Sequence, residues 1–295
     1  MVRTFPCPAC VFDVWDDVGI HLYWRVEHEP AGIWHKDLEV RLRRQVLFDV
    51  WFPGAAMVTL QSRRCRRCGT ICYAPRPTQD DINRKYEFLR AAPIGSPSVE
   101  ISRRIEVSDQ TRAATILAAL VPYLTSGARV LDVGGGDGRL MGPFMNMDFQ
   151  CFLVDSVDHT RPGVRKLADS LEALPDGPTF DAAVFSHVLE HVASPRKLLE
   201  QVYPLLSQRG AVYVEVPLEA FYNNAWNPIV AEPVEHINFF TLDGIVRILC
   251  GAGFESDGAQ VGWSSYEGRS LPVIRAVGIK REHPPGTAAT SRHYE

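Results

Sequence analysis

Residues 130–140, VLDVGGGDGRL, set Gly134, Gly136 and Gly138 at every second position, with Asp132 ahead of them and Asp137 among them. A strand that ends in glycines lets a ligand touch the backbone, because absent Cβ atoms permit unusual φ/ψ and close approach. Two phosphate-binding loops are disfavoured by the same residues. No Gly-Lys-Ser/Thr follows, and the third glycine of a dinucleotide fingerprint would fall at position 139, where Arg139 stands. Asp155, at the end of the apolar run FQCFLVD, comes 17 residues after Gly138.

Four of the seven cysteines form two C-x-x-C pairs, Cys7/Cys10 and Cys65/Cys68. Two such knuckles can surround one tetrahedral zinc with four thiolates at about 2.3 Å. Gly69 suits the tight turn that aims amide hydrogens at sulfur, whereas the first knuckle carries Val11 in that place. The 54 residues between the pairs exceed the spacing of an ordinary ribbon, so a redox pair or a lost metal stays open beside zinc. A closed four-thiolate site leaves no open position, and its expected contribution is to stability and not to chemistry. Cys72, Cys151 and Cys250 read as small packing residues.

The histidines lie in two places. His187 closes the run FDAAVFSH, at the strand's carboxyl edge, which in an open α/β sheet borders the ligand crevice, and His191 follows at i+4. Both have the titration range suited to taking a proton from a hydroxyl or from carbon beside a carbonyl. The alternative is structural, with the two rings lining a cofactor and capping a helix. Glu235 and His236 are adjacent, so on a strand their side chains would face opposite ways; Pro233 makes a turn plausible there. His236 is read as a catalytic or acceptor-contacting residue, or else as a histidine packed under the following NFF.

The elements that must position these groups follow from hydrophobic pattern. ARVLDVGG, FQCFLVD, FDAAVFSH and GAVYVEVP read as buried strands, alternating with helices such as TRAATILAALVPYL and SPRKLLEQVYPLLS. Such alternation predicts α/β architecture, a parallel sheet covered on both faces. Residues 1–77, rich in Trp and Arg, form a separate cysteine-bearing domain and possible substrate lid. Residues 78–109 connect the two as a helix around QDDINRKYEFL and a hinge APIGSPS, residues 110–280 are the α/β domain, and the tail 281–295 reads as flexible.

The spacing D-V-G-G-G-D-G resembles motif I of class I S-adenosylmethionine-dependent methyltransferases, and SHVLEHV with its flanking strands resembles the same family. The stretch EPVEHINFFTLDGIVRILCGAGFE is similar to one in methyltransferases of polysaccharide and antibiotic-sugar pathways, whose N-terminal zinc domain the C-P-x-C … C-x-x-C-G … PRP frame also resembles. The resemblance implies a Rossmann-like, seven-stranded methyltransferase core with a small N-terminal zinc-binding domain. It implies S-adenosylmethionine as cofactor, held by Asp132 at the amino-acid moiety, usually through water or backbone, by the loop glycines, by Asp155 at the ribose, by Asp169 and Ser170 beside the adenine, and by the phrase that includes Ser186. A carboxylate accepting two ribose hydroxyls is worth ~1.5 to 3 kcal/mol per bond at a good site. It further implies a structural Zn²⁺ on Cys7, Cys10, Cys65 and Cys68, and general-base work by the Glu235–His236 pair. Sugar C-methyltransferases of this layout tend to carry an aromatic hydroxyl two residues before the acid. Here that position is Pro233, with Tyr222 or Tyr213 as possible substitutes. This departure, and a chain that ends near 295 without the relatives' further domain, favour O-methylation over C-methylation.

The expected substrate is a small molecule, a sugar or nucleotide sugar first. Methylation of RNA is the alternative that SRRCRRCG suggests, its Arg63, Arg64, Arg66 and Arg67 being able to grip phosphates. Charge opposes it: residues 1–95 carry 14 Lys and Arg against 11 Asp and Glu, and the remainder 17 against 24, so no basic stripe forms. Trp15, Trp24, Trp34 and Trp51 lack regular spacing and read as core or lid surface. A non-catalytic scaffold on this fold is a third possibility, opposed by the intact loop and histidines. No apolar stretch approaches the roughly 20 residues that span a bilayer and the N-terminus has no signal-peptide core, so the expected location is the cytoplasm, without membrane contact.

Overall fold

A computed structural model describes residues 1, 4–25, 38–92, 99–175, 177, 179–219, 234–266 and 269–281. Pro233, Tyr222, Trp34, most of the expected hinge and nearly all of the expected tail lie outside the described residues.

Two sheets carry the architecture. The first is antiparallel, with β1 (Trp15–Trp24), β2 (Met57–Cys65), β3 (Ile71–Ala74) and β9 (Asn238–Phe239) in the order β1-β2-β3-β9. Its fourth strand comes from far along the chain, pairing Ile71 with Phe239 and Cys72 with Asn238. Helix α1 (Leu38–Gln45) runs into a π-helical turn, Val46–Trp51, whose Val46, Leu47 and Phe48 join Val58, Leu60, Ile71 and Tyr73 in a core of their own. Trp51 is buried there with its indole N–H on the Asp81 carbonyl, while Trp24 is exposed.

Helix α2 (Gln79–Ala91) starts where the sequence placed a helix, on a capping box: Thr78 Oγ1 accepts the Asp81 amide at 3.2 Å and Asp81 Oδ2 accepts the Thr78 amide at 2.9 Å. Such a cap is worth about 1 kcal/mol. Helix α3 (Val99–Leu120) crosses residue 110 without a break.

The second sheet holds β4 (Arg129–Val133), β5 (Gln150–Val154), β6 (Val164–Ala168), β7 (Phe180–Ser186), β8 (Leu206–Pro217), β10 (Phe254–Glu255), β11 (Ala259–Tyr266) and β12 (Arg269–Lys280). The order is β10-β12-β8-β7-β4-β5-β6; β4 to β8 are parallel and β12 runs antiparallel to β8. Eight strands stand where seven were expected, because one strand position is split. β10 pairs with Ile279 and Lys280, and β11 with the earlier part of β12. The fold is mixed α/β and Rossmann-like.

The central strands are apolar at nearly every position because both faces are covered. Leu131, Val133, Phe152, Val154 and Phe185 face α5 (Pro195–Val202) and α6 (Leu242–Gly251), whose Leu199, Ile245, Ile248 and Leu249 close that side. Val130, Leu153, Val184 and Tyr213 face α3, through Ala113, Ile116 and Leu120, and Phe144 of α4 (Gly142–Met145). Full burial of each such Leu, Ile or Phe contributes about 1.5 to 3 kcal/mol. The loops after β4, β5 and β7 leave the parallel strands at one edge, the edge where open α/β sheets bind ligands. Among the described residues no helix is long and apolar enough to cross a membrane.

Candidate active site

The loop after β4 owes its path to its glycines. Gly134, Gly136 and Gly138 take φ of +70°, +61° and +81°, a region that costs other L-residues about 1 to 2 kcal/mol each. The Gly134 amide donates to the Val154 carbonyl at 2.9 Å, tying the loop to β5. Gly135 is needed for space, since a Cβ there would overlap the Asp132 carboxylate.

Asp132 is only 1% exposed, and neither of its carboxylate oxygens has a hydrogen-bond partner among the described residues. Burial raises its pKa to about 7. It therefore underlies the loop instead of lining the crevice, so any influence on the amino-acid end of a cofactor passes through the loop backbone. Asp155 faces the loop directly: Oδ2 accepts the Gly136 amide at 2.8 Å and Oδ1 the Val157 amide at 3.1 Å. Asp137 braces the far side, with Oδ1 3.1 Å from Arg139 Nε and Oδ2 3.2 Å from Arg161 Nε.

The other nominated cofactor residues sit differently. Asp169 and Ser170 follow Ala168, whose carbonyl accepts the Asp155 amide, and so lie near Asp155 along the chain path. The Asp169 side chain is 74% exposed and paired with Lys166. Ser186 turns away from the crevice, its Oγ 3.4 Å from Glu215 Oε1. The bare loop, the acid closing the next strand and a loop arginine already held by Asp137 fit a ligand with amino-acid and ribose groups better than a phosphate.

His187 adopts φ of +57°, and its ring sits between two buried carboxylates, with Nδ1 3.3 Å from Glu190 Oε1 and Nε2 3.4 Å from Glu215 Oε1. Burial pushes the imidazole down, but the two glutamates outweigh it and raise its pKa to about 9. Glu190 and Glu215, though buried, are held down to about 2 by that ring and their other partners. Arg275 Nε at 2.6 Å and the Tyr213 hydroxyl at 3.1 Å complete the shell of Glu215. At neutral pH His187 is thus a buried imidazolium, poorly suited to be a base, and Tyr213 is committed to Glu215.

His191 and His236 form the other group, their ring centroids 4.7 Å apart. His191 Nδ1 donates to the Glu235 carbonyl at 2.7 Å, and burial depresses its pKa to about 3, so the ring is neutral. His236 Nδ1 donates to Glu219 Oε2 at 2.8 Å; burial opposes the charged ring, but Glu219 outweighs it and the pKa is raised. Glu235 is not the partner of His236. Its carboxylate meets the Arg43 guanidinium in two contacts of 2.9 Å.

The N-terminal sheet and its helices hold this turn. Lys85 Nζ, buried on α2, donates to the Val234 carbonyl at 2.7 Å, and burial lowers its pKa to about 8. Arg76 donates to the Ile237 carbonyl and to Asn238 Oδ1, while Asn238 Nδ2 reaches the Leu189 and Val192 carbonyls at 2.7 and 2.9 Å. The SHVLEHV segment and the His236 turn are in this way stitched together by residues of the first 85. Arg43, Arg76, Lys85, Glu190, Glu215 and Glu219 were not singled out from sequence. An acid inside the apolar strand GAVYVEVP was a readable signal for Glu215; the others had none.

Cys7, Cys10, Cys65 and Cys68 converge, all four sulfurs lying within 4.8 Å of one another, with Cys7–Cys68 and Cys10–Cys65 at 3.5 Å. Tetrahedral thiolates at about 2.3 Å from a zinc stand roughly 3.7 Å apart, so the set fits that ion. Without a cation four thiols so close cannot all ionise: hydrogen bonding from Cys7 pulls Cys68 down to about 5, while Cys7 itself is driven up. Val11 and Gly69, each next after its pair, both have positive φ, +63° and +75°. The Val11 knuckle makes the same turn as the Gly69 one, with a strained β-branched residue. The site docks on the cap of α6, where Thr241 Oγ1 donates to the Cys68 carbonyl and accepts the Gly244 amide. Arg66 and Arg63 beside it are paired with Asp16 and Asp17.

Over residues 106–257 the chain matches the family described as "Methyltransferase domain". No curated protein sequence matches it significantly. Among solved structures it is similar to the Burkholderia thailandensis 1,6-didemethyltoxoflavin-N1-methyltransferase with bound 1,6-didemethyltoxoflavin and S-adenosylhomocysteine. Identity there is 19% over 64% of this chain and 94% of that one, with a TM-score of 0.46. It is also similar to magnesium protoporphyrin IX methyltransferase from Synechocystis PCC 6803 with bound S-adenosylhomocysteine, at 16% identity over 68% and 97% of the chains and a TM-score of 0.46. The N-methyltransferase NodS from Bradyrhizobium japonicum is 12% identical over 59% and 87%, with a TM-score of 0.43.

Proposed function

The chain belongs to the methyltransferase domain family, and on that premise we propose that it methylates a small molecule from S-adenosylmethionine, with a sugar hydroxyl, nucleotide-linked or in a glycan or antibiotic precursor, as the acceptor. The observation that carries the reading is the sharing of one sheet edge by two unlike groups. The glycine loop with Asp155 follows β4 and β5, and the His191–His236 pair is held just beyond β7.

S-adenosylmethionine supplies the methyl group on a sulfonium when bound. Gly134, Gly136 and Gly138 offer it bare backbone, and Asp155 offers carboxylate oxygens to ribose hydroxyls. Methyl transfer is an in-line displacement, so acceptor, methyl carbon and sulfur must be held in one line. On the acceptor side, His191 and His236 each have Nδ1 committed to an anchor and leave Nε2 for the acceptor. The hydroxyl proton is drawn off at this pair. Engagement of Glu235 by Arg43 supports O- over C-methylation, since the acid that would assist a carbon base is occupied. The N-terminal domain with a zinc ion on its four cysteines serves as scaffold for the His236 turn.

The test is a screen of labelled cofactor against nucleotide sugars and related glycosides, with NMR of the product to locate the new methyl. His236→Ala lowers turnover at least about 100-fold while S-adenosylhomocysteine affinity stays within about twofold. Failure to methylate any carbohydrate, or an equal loss of both quantities in the variant, would reject the reading.

A further inference from the structure

Glu190, His191 and His236 bring three metal-ligating atoms within 4.8 Å of one another. The three side chains come from two segments more than forty residues apart, and the backbone joins those segments directly, with the Ile237 and Asn238 amides both donating to the Glu190 carbonyl at 2.9 and 3.2 Å. Ligands about 2.1 Å from one cation stand roughly 3.4 Å apart, so modest rotation of the side chains closes the set.

Two further features belong to metal sites. A ligating histidine almost always donates its second ring N–H to a carboxylate or a backbone carbonyl, which fixes the tautomer and aims the other nitrogen. Both histidines do this: His191 Nδ1 donates to the Glu235 carbonyl at 2.7 Å, and His236 Nδ1 to the Glu219 carboxylate at 2.8 Å. Glu190 is 1% exposed, and among the described residues its oxygens accept no hydrogen bond of ordinary geometry; His187 Nδ1 lies at 3.3 Å and His191 Nε2 at 3.8 Å. The His187 imidazolium offsets part of the cost of burying that carboxylate, and its remaining oxygen lone pairs are left for a further cation.

We propose that Glu190, His191 Nε2 and His236 Nε2 bind a divalent first-row cation such as zinc or iron(II), in a two-histidine, one-carboxylate shell. Three protein ligands leave open positions, in contrast to the closed four-cysteine site. The acceptor hydroxyl takes one of them and the cation makes it more acidic, as it does a bound water, so its proton leaves to solvent, in place of removal by the metal-free pair, and the alkoxide stays on the cation. His236 is then a ligand oriented by Glu219. The location on the acceptor side rests on the methyl-transfer reading, but cation binding is measured without any acceptor, so the two can fail separately.

The experiment is titration of the full chain with cobalt(II), followed optically, and zinc counting after gel filtration. The expected result is about two ions per chain, the first with thiolate-to-cobalt charge-transfer absorption and the second with ligand-field bands alone. His236→Gln and Glu190→Gln each lose the second ion and keep the first, their fold checked by circular dichroism. Saturation of the unaltered chain at about one ion overturns the proposal, and this outcome needs no variant to fold. A second ion retained by both folded variants overturns it equally. In either case methyl transfer by the metal-free pair would still be open to the activity screen.

Discussion

The Asp132 carboxylate lies directly beneath Gly135, in the space that any side chain at that position would occupy. The two residues form one unit: the buried acid supports a loop that only glycine lets settle upon it. Gly135→Ala is expected to cost about 1 to 3 kcal/mol in urea unfolding, through overpacking against the buried Asp132 carboxylate. It should also abolish S-adenosylhomocysteine binding in calorimetry. Retention of both by the variant would show that the loop is not built on this contact.

Asp155 ties the loop through Gly136 and is the carboxylate we propose for the ribose hydroxyls. Asp155→Ala should weaken S-adenosylhomocysteine by at least about tenfold, given ~1.5 to 3 kcal/mol for each charge-assisted bond lost. Unchanged affinity would remove it from the pocket.

His187 gives the protein a pH-dependent stability. Its folded pKa, raised to about 9, lies above the unfolded value of about 6.5. Its contribution is therefore fully present below about pH 6.5 and is lost as pH rises through 9. The effect is on the order of 3 kcal/mol at most. Glu190 and Glu215, held near 2, act at the other end, stabilising above about pH 4.5 and ceasing to as pH falls through 2. Urea unfolding of the zinc-loaded protein between pH 6 and 10 should show the alkaline decline. His187→Asn, which tolerates the left-handed backbone, should flatten it, and an unchanged slope in that variant would assign the decline elsewhere.

Metal analysis should return zinc at the four-cysteine site, and its removal should be felt at His236. The knuckle docks on the cap of α6 through Thr241, five residues after His236. Cys68→Ser is expected to lower the melting temperature by several degrees and to reduce turnover more than cofactor affinity. A metal-free protein with unaltered melting and turnover would refute the zinc assignment.

Much of this was legible along the chain because the signals are local. The three glycines stand where the backbone needs positive φ, and near-continuous apolar runs mark β4, β5, β7 and β8, whose two faces are covered. The paired cysteines declare their chemistry by type. The strand VRKLA was not read, since half-exposed β6 has no apolar run, and neither was the split that adds β10 to the expected seven strands.

What the chain order could not announce is which charge meets which. Glu235 and His236 are neighbours in sequence, yet one faces Arg43 and the other Glu219. His187 becomes an imidazolium because Glu190 and, from the adjacent strand, Glu215 meet its ring, and Asp132, expected to act on the amino-acid moiety through water or backbone, lies beneath Gly135. These outcomes depend on burial and, for the charged pairs, on partners tens to nearly two hundred residues away, such as Arg43 for Glu235, brought near as Asn238 and Phe239 join the N-terminal sheet. Spacing specifies what a backbone can do locally; the protonation and partners of a buried group follow from the low-dielectric surroundings that the completed fold assembles around it.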